Sequence, residues 1–138
     1  MTPKEAAFKS LKALAKTTPA ILSAILFIGL ISAIIPKSFY AKLFIGNVIF
    51  DSVIGALVGS IAAGNPVTSY ILGGEMLDQG VSLIAVTAFI VAWVTVGVVQ
   101  LPAEAVILGK RFSLFRNLLA FASAIAVALI TALIMPIL

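Results

Sequence analysis

Hydrophobic and polar positions in this chain are arranged as long apolar runs separated by brief polar breaks. Residues 19–35 carry no charge and stop at Pro36, residues 43–63 are apolar except for Asp51, and residues 79–103 and 117–135 carry no formal charge. Such runs suit helices that cross a bilayer, which needs ~17–25 residues each. Sheet is excluded because an open edge in lipid leaves backbone groups unpaired. Only residues 3–16, "PKEAAFKSLKALAK", show an amphipathic period. Phe8, Leu11 and Leu14 or Ala15 share one face and lysines fill the rest, as expected of a helix lying on an anionic membrane surface. A solvated helical tail is the alternative.

Composition agrees with this pattern. The 138 residues are 62% hydrophobic and 10% charged. A soluble domain of this size cannot hide that much apolar surface. We therefore expect an all-α integral membrane protein, one membrane domain over residues 1–138. The basic N-terminus followed by residues 19–35 looks like a signal peptide, but the chain after it is equally apolar, so the segment is read as a retained membrane helix. There is no Cys and no His. Disulfides, thiolate chemistry, ordinary zinc sites and His-based acid–base catalysis are excluded. No nucleophile–base pair is evident and no cofactor is implied, so an enzyme is not expected. The net charge of +4 bears on topology rather than on nucleic acid, for which no aromatic-rich basic module is present.

Charge separates two topologies. If residues 43–63 span fully, four crossings result. Lys4, Lys9, Lys12 and Lys16 then oppose Lys37, Lys42, Lys110, Arg111 and Arg116 with almost no bias. Asp51 would also sit roughly 12 Å along a membrane helix, where a carboxylate is costly. If residues 51–77 instead form a helical hairpin broken at 64–66, three crossings remain, at 19–35, 80–103 and 117–136. The N-terminal lysines then join Lys110, Arg111 and Arg116 against Lys37 and Lys42 alone. Asp51, Glu75 and Asp78 reach the opposite surface. The positive-inside rule makes the N-terminus cytoplasmic. Three transmembrane helices plus a re-entrant hairpin are preferred, with four full crossings as the alternative; five partial crossings would give the same charge count as the hairpin. The location expected is the inner (plasma) membrane, multi-pass.

Two breaks carry the candidate chemistry. At Gly64-Asn65-Pro66, Gly can end a helix, Asn can cap the next and Pro suits its first turn. Free N–H groups and a partial positive charge result. Thr68 and Ser69 add hydroxyls, making a candidate site for an anion or polar solute, as in transporters with broken helices. Plain punctuation between surface helices is the competing account. In "AWVTVGVVQLPAE", Trp93, Gly97, Gln100 and Glu104 fall on one helical face, and Pro102 can kink the helix. Gln100 and Glu104 could line a solute path, or Glu104 could simply pair near Lys110 and Arg111. Gly55 and Gly59, with Ser60 and Gly64, have the small-residue spacing that would let the hairpin arms or a neighbouring helix approach closely. Asp51 is read as a cap or a cation ligand, and Glu75 and Asp78 as a solvated rim.

From Gly59 to Leu133 the order of "GNP", "EMLDQG", "VSLIAVTAFIVAW" and "LGKRF" resembles one half of the predicted-permease family that includes organoarsenical efflux permeases. Members usually carry two such halves. Gly64, Asn65 and Pro66 match the first break and "AFIVAW" the helix after it. "WVTVG" stands where the family has a Pro-Ala-Thr-Asn-type signature, and the paired cysteines of some members are absent, so thiolate handling of arsenicals is not implied. "ISAIIP", "GNPV" and "VAWVTVG" are also similar to membrane proteins with a nucleoside-recognition gate domain. The resemblance implies a half-size permease subunit that pairs with a second copy, or with another half, to move a small polar or anionic solute. The expected binding residues are Asn65, Pro66, Thr68, Ser69, Gln100 and Glu104. The alternative is a non-transporting subunit packed against a larger transporter complex.

Overall fold

The computed structural model describes residues 3–34, 39, 42–62 and 65–137. Pro36, Lys37, Tyr40 and Gly64, named above, lie outside them. Regular structure among the described residues is helical. The chain forms two compact units, residues 1–35 and 36–138.

The first unit is one helix, α1, Pro3–Ile34. Sequence reading divides this stretch into a surface helix over 3–16 and a spanning helix over 19–35, whereas the two are continuous here. Pro19 lies inside the helix and removes only one backbone donor. Neighbouring hydroxyls bond back to the helix, Thr18 to the Leu14 carbonyl at 2.7 Å and Ser23 to that of Pro19 at 2.8 Å. Such bonds bend a helix without ending it.

The second unit contains α2 (Val48–Ile61), α3 (Pro66–Asp78), α4 (Leu83–Thr95), α5 (Leu101–Leu108) and α6 (Lys110–Ile134), closed by a 3-10 turn, Met135–Ile137. Helix α2 begins later than its apolar run because Asn47 caps it, its Oδ1 accepting from the N–H groups of Ile49 and Phe50 at 3.1 Å each. Asp51 does not cap its own helix. Its buried carboxylate accepts the N–H groups of Ile45 and Gly46, both at 3.1 Å, and so pins the incoming loop. Gly46 has a φ of 81°, and no L side chain adopts that readily.

Helix α4 is central and packs against α2, α3 and α6. A Cβ added at Gly55 would collide with the Ala85 carbonyl, and one at Gly59 with the Phe89 carbonyl. Both pairs advance by four residues, so α2 and α4 run parallel with their backbones in contact. The GxxxG spacing therefore serves α2 against α4, not one hairpin arm against the other. Gly73 of α3 faces Val86 and Ile90, while Pro66 at the start of α3 lies beside the end of α4. Helix α3 thus returns antiparallel. Phe44, Met76, Val81 and Ala85 share one cluster, so the entrance and exit of the α2–α3 hairpin lie at the same end. Helix α6 is antiparallel to α4. Its Asn117 meets Gly97, and its Ala124 and Ala128 join Ala88 and Ala92 of α4 and Ala56 of α2.

The interior is built largely from small residues. Ala56, Ala85, Ala88, Ala92, Ala124, Ala128, Ser52, Ser60, Ser69 and Ser113 are all buried. Phe44, Met76 and Phe89 are buried with them, but many large apolar side chains face outward, with Val106 at 86% and Ile107 at 81% exposure. Small residues inside and large ones outside suit helices associating in lipid, where close backbone approach replaces a hydrophobic driving force. Helix α6 is long and apolar enough to cross a membrane; α2 and α4 are shorter apolar helices. The span read from sequence as 80–103 is not continuous. Helix α4 stops at Thr95, the chain turns through residues 96–100, and α5 begins at Leu101. The last helix starts at Lys110, seven residues before the expected 117, because nothing in "KRFSLFR" breaks a helix and Gly109, with a φ of 89°, sets the turn just before it.

Candidate functional site

Two helix breaks, distant in sequence, meet at one pocket. Its volume is about 170 Å³. The first break contributes Ala62, at the end of α2, and Pro66, at the start of α3; the second contributes Trp93 to Gln100; Arg116 of α6 completes the wall. The ends of α2 and α4 bring partial negative charge from unpaired carbonyls, and the start of α3 brings partial positive charge from unpaired N–H groups. The pocket thus has a mixed polar wall in an otherwise apolar molecule.

Each break has a local cause. Asn65 caps α3, its Oδ1 accepting the Val67 N–H at 2.9 Å, and Pro66 occupies the first turn. The second break falls in "VTVGVV", residues 94–99, where β-branched residues around a Gly give low helix propensity. Trp93 stands at the rim with its ring edge-to-face on Phe89, the centroids 5.4 Å apart.

A polar network holds the second break. The Gly97 N–H donates to Asn117 Oδ1 at 2.8 Å. Asn117 Nδ2 donates to the Ser113 carbonyl at 2.9 Å and to Glu104 Oε2 at 3.2 Å. Arg116 grips Glu104 through one guanidinium nitrogen, 2.7 Å from Oε1 and 2.8 Å from Oε2. Glu104 is 18% exposed and Arg116 41%, so the pair is partly screened and contributes modestly to stability. The Ser113 hydroxyl, one turn before Asn117, is buried without a hydrogen-bond partner.

The expected site residues separate into two groups. Pro66 and Gln100 line the same pocket, and Glu104 lies beside Gly97 and Gln100. Asn65 is occupied as a cap. Ser69 is buried, its hydroxyl donating to the Pro66 carbonyl at 2.6 Å. Thr68 is half-buried. Asn65, Thr68 and Ser69 are not part of the pocket wall; they build the turn that carries Pro66. Trp93, Gly97, Gln100 and Glu104 do not share a face of one continuous helix, because the helix ends at Thr95. The turn nevertheless brings Gly97, Gln100 and Glu104 together. The ion-pair partner of Glu104 is Arg116, not Lys110 or Arg111.

Sequence reading missed the roles of Arg116 and Asn117, placing both at the edge of a loop. A signal for them exists: an Arg-Asn pair seven residues inside an apolar helix is costly in lipid unless it has partners.

Comparison with family models, curated proteins and solved structures gives no match to this chain.

Proposed function

We propose that this chain is a half-size permease subunit of the inner membrane, multi-pass with a cytoplasmic N-terminus, that pairs with a second copy and moves a small polar or anionic solute. The observation that carries this reading is the convergence of both helix breaks on one pocket. Broken helices meeting at membrane depth are a recurring device for solute binding, and non-helical backbone survives there only when it lines protein or a water-filled cavity. The α2–α3 hairpin would be re-entrant, with three crossings around it, the middle one made by α4 and α5 together across their break. Solute would meet Gln100, the Pro66 turn and Arg116, with Trp93 as one wall. Glu104 would hold Arg116 until an anion competes for it. A second copy is required because so few crossings make a thin wall. The permease resemblance of residues 59–133 agrees with this arrangement.

The test is flux into proteoliposomes with acetate, lactate, phosphate and glycerol as probes. Wild-type protein is expected to raise the flux of at least one probe above protein-free vesicles. Gln100→Ala and Gly97→Val should lower that flux, while Val106→Ala, on the exposed outer surface, should leave it unchanged. Equal flux in all variants, or none above empty vesicles for any probe, defeats the proposal and favours a non-transporting subunit.

A further inference from the structure

A second cavity borders the Asn117 network. It has a volume of about 340 Å³ and is lined by Leu57 and Ile61 of α2, Val98 of the turn, and Leu114, Leu118 and Phe121 of α6. Two polar residues touch it, and both are turned to other partners. The Ser60 hydroxyl donates to the Ala56 carbonyl at 2.6 Å, and the Asn117 amide is engaged by Gly97, Glu104 and Ser113. The surface offered to an occupant is hydrocarbon.

The α6 face that lines this groove continues, toward the start of the helix, into basic residues. At 3.6 residues per turn, Lys110 shares a face of α6 with Leu114, Asn117 and Phe121, at i+4, i+7 and i+11. It stands one turn, ~6 Å, beyond the last lining residue of α6. Arg111 falls on the same side as Leu118. Both cations are exposed, and the ion pair found among the described residues, Arg116–Glu104, involves neither. An apolar slot with two unpaired cations one turn from its end matches a molecule with a long hydrocarbon chain and an anionic head.

We propose that this groove seats one anionic phospholipid, an acyl chain lying between α2 and α6 and its phosphate held by Lys110 and Arg111. The seat depends on the membrane reading but not on transport. Each cation near an anionic lipid surface favours binding by ~1 kcal/mol, so the pair gives roughly thirtyfold preference over a zwitterionic lipid of equal chain length.

The test uses full-length protein in detergent, titrated with phosphatidylglycerol or phosphatidylcholine, with bound lipid counted by native mass spectrometry and the melting temperature followed in parallel. One phosphatidylglycerol should be retained per chain in strong preference to phosphatidylcholine. Lys110→Gln with Arg111→Gln should erase that preference while the unliganded melting temperature stays put, because neither side chain has a partner to lose. Lys110→Arg should keep it. Leu118→Trp, which fills the slot, should lower retention of both lipids. Equal retention of the two lipids by wild type, or a preference that survives the double Gln variant, overturns the seat. A melting shift reproduced by glycerol phosphate alone points to a headgroup site without the groove and also overturns it. So does a Leu118→Trp variant that changes oligomeric state and leaves lipid retention intact, since the groove would then hold protein. A chain that stays dispersed without detergent would instead defeat the membrane reading underneath.

Discussion

Gly55 and Gly59 decide how near α2 can come to α4. The carbonyls of Ala85 and Phe89 occupy the space where a Cβ would sit, and a carbonyl in a helix cannot swing aside as a side chain can. Replacing either glycine by Ala must part the two backbones. Overpacking of this kind costs ~1–3 kcal/mol. Gly74 is the contrasting case: it is helical and exposed, with open space where its Cβ would project. Gly74→Ala should stabilise by ~0.5–1 kcal/mol, since Ala loses less backbone freedom on folding. Thermal melting in one detergent separates the two classes. Gly59→Ala should melt well below wild type and Gly74→Ala at or above it. A Gly59→Ala protein as stable as wild type would mean that the two helices are not in backbone contact.

At the scale of elements, breaks rather than helices define this molecule. Asn65 starts α3 by satisfying one of the free N–H groups of its first turn, and loss of such a cap costs ~1 kcal/mol. Asn65→Ala should therefore lower the melting temperature and raise amide exchange at Val67 and Thr68, while Asn65→Asp should keep both near wild type. Unchanged exchange in the Ala variant would remove the cap from the account. This break was legible in sequence because Asn-Pro after a small-residue run has a direct local cause. The GxxxG spacing was legible too, although only the fold shows that it serves α4. The break at 96–100 was hidden inside an uncharged run, since hydropathy does not distinguish a helix from an apolar turn. The β-branched cluster around Gly97 was its only local mark. Arg116 and Asn117 were harder to read, because Glu104 and Gly97, which give them a role, lie twelve and twenty residues away. Side chains that close on distant partners carry little local signature, here no more than the cost of an Arg-Asn pair leading into an apolar helix.

For the molecule as a whole, the consequential feature is that the α2–α3 hairpin opens and closes at one end. Its arms are 14 and 13 residues, ~21 and ~20 Å long, too short for a ~30 Å hydrocarbon core. Phe44 and Met76 meet in a single cluster at its base, and Asp51, near that base, is satisfied by loop N–H groups rather than left bare. A chain crossing the bilayer through α2 without returning through α3 would separate these groups to opposite faces. Because the chain contains no Cys, single cysteines can test this directly. Ile45→Cys and Asp78→Cys, both at exposed positions, should react with a membrane-impermeant maleimide from the outside of intact cells. Arg111→Cys, at the start of α6, should react only after the membrane is opened. That pattern, with arms too short to span, would make the hairpin re-entrant and put the basic end of α6 in the cytoplasm, as expected from the seven-to-two charge bias. If positions 45 and 78 label from opposite faces, the chain crosses between them. The pocket between the two breaks could then not be the tip of a re-entrant hairpin, and the solute path drawn through it would have to be abandoned.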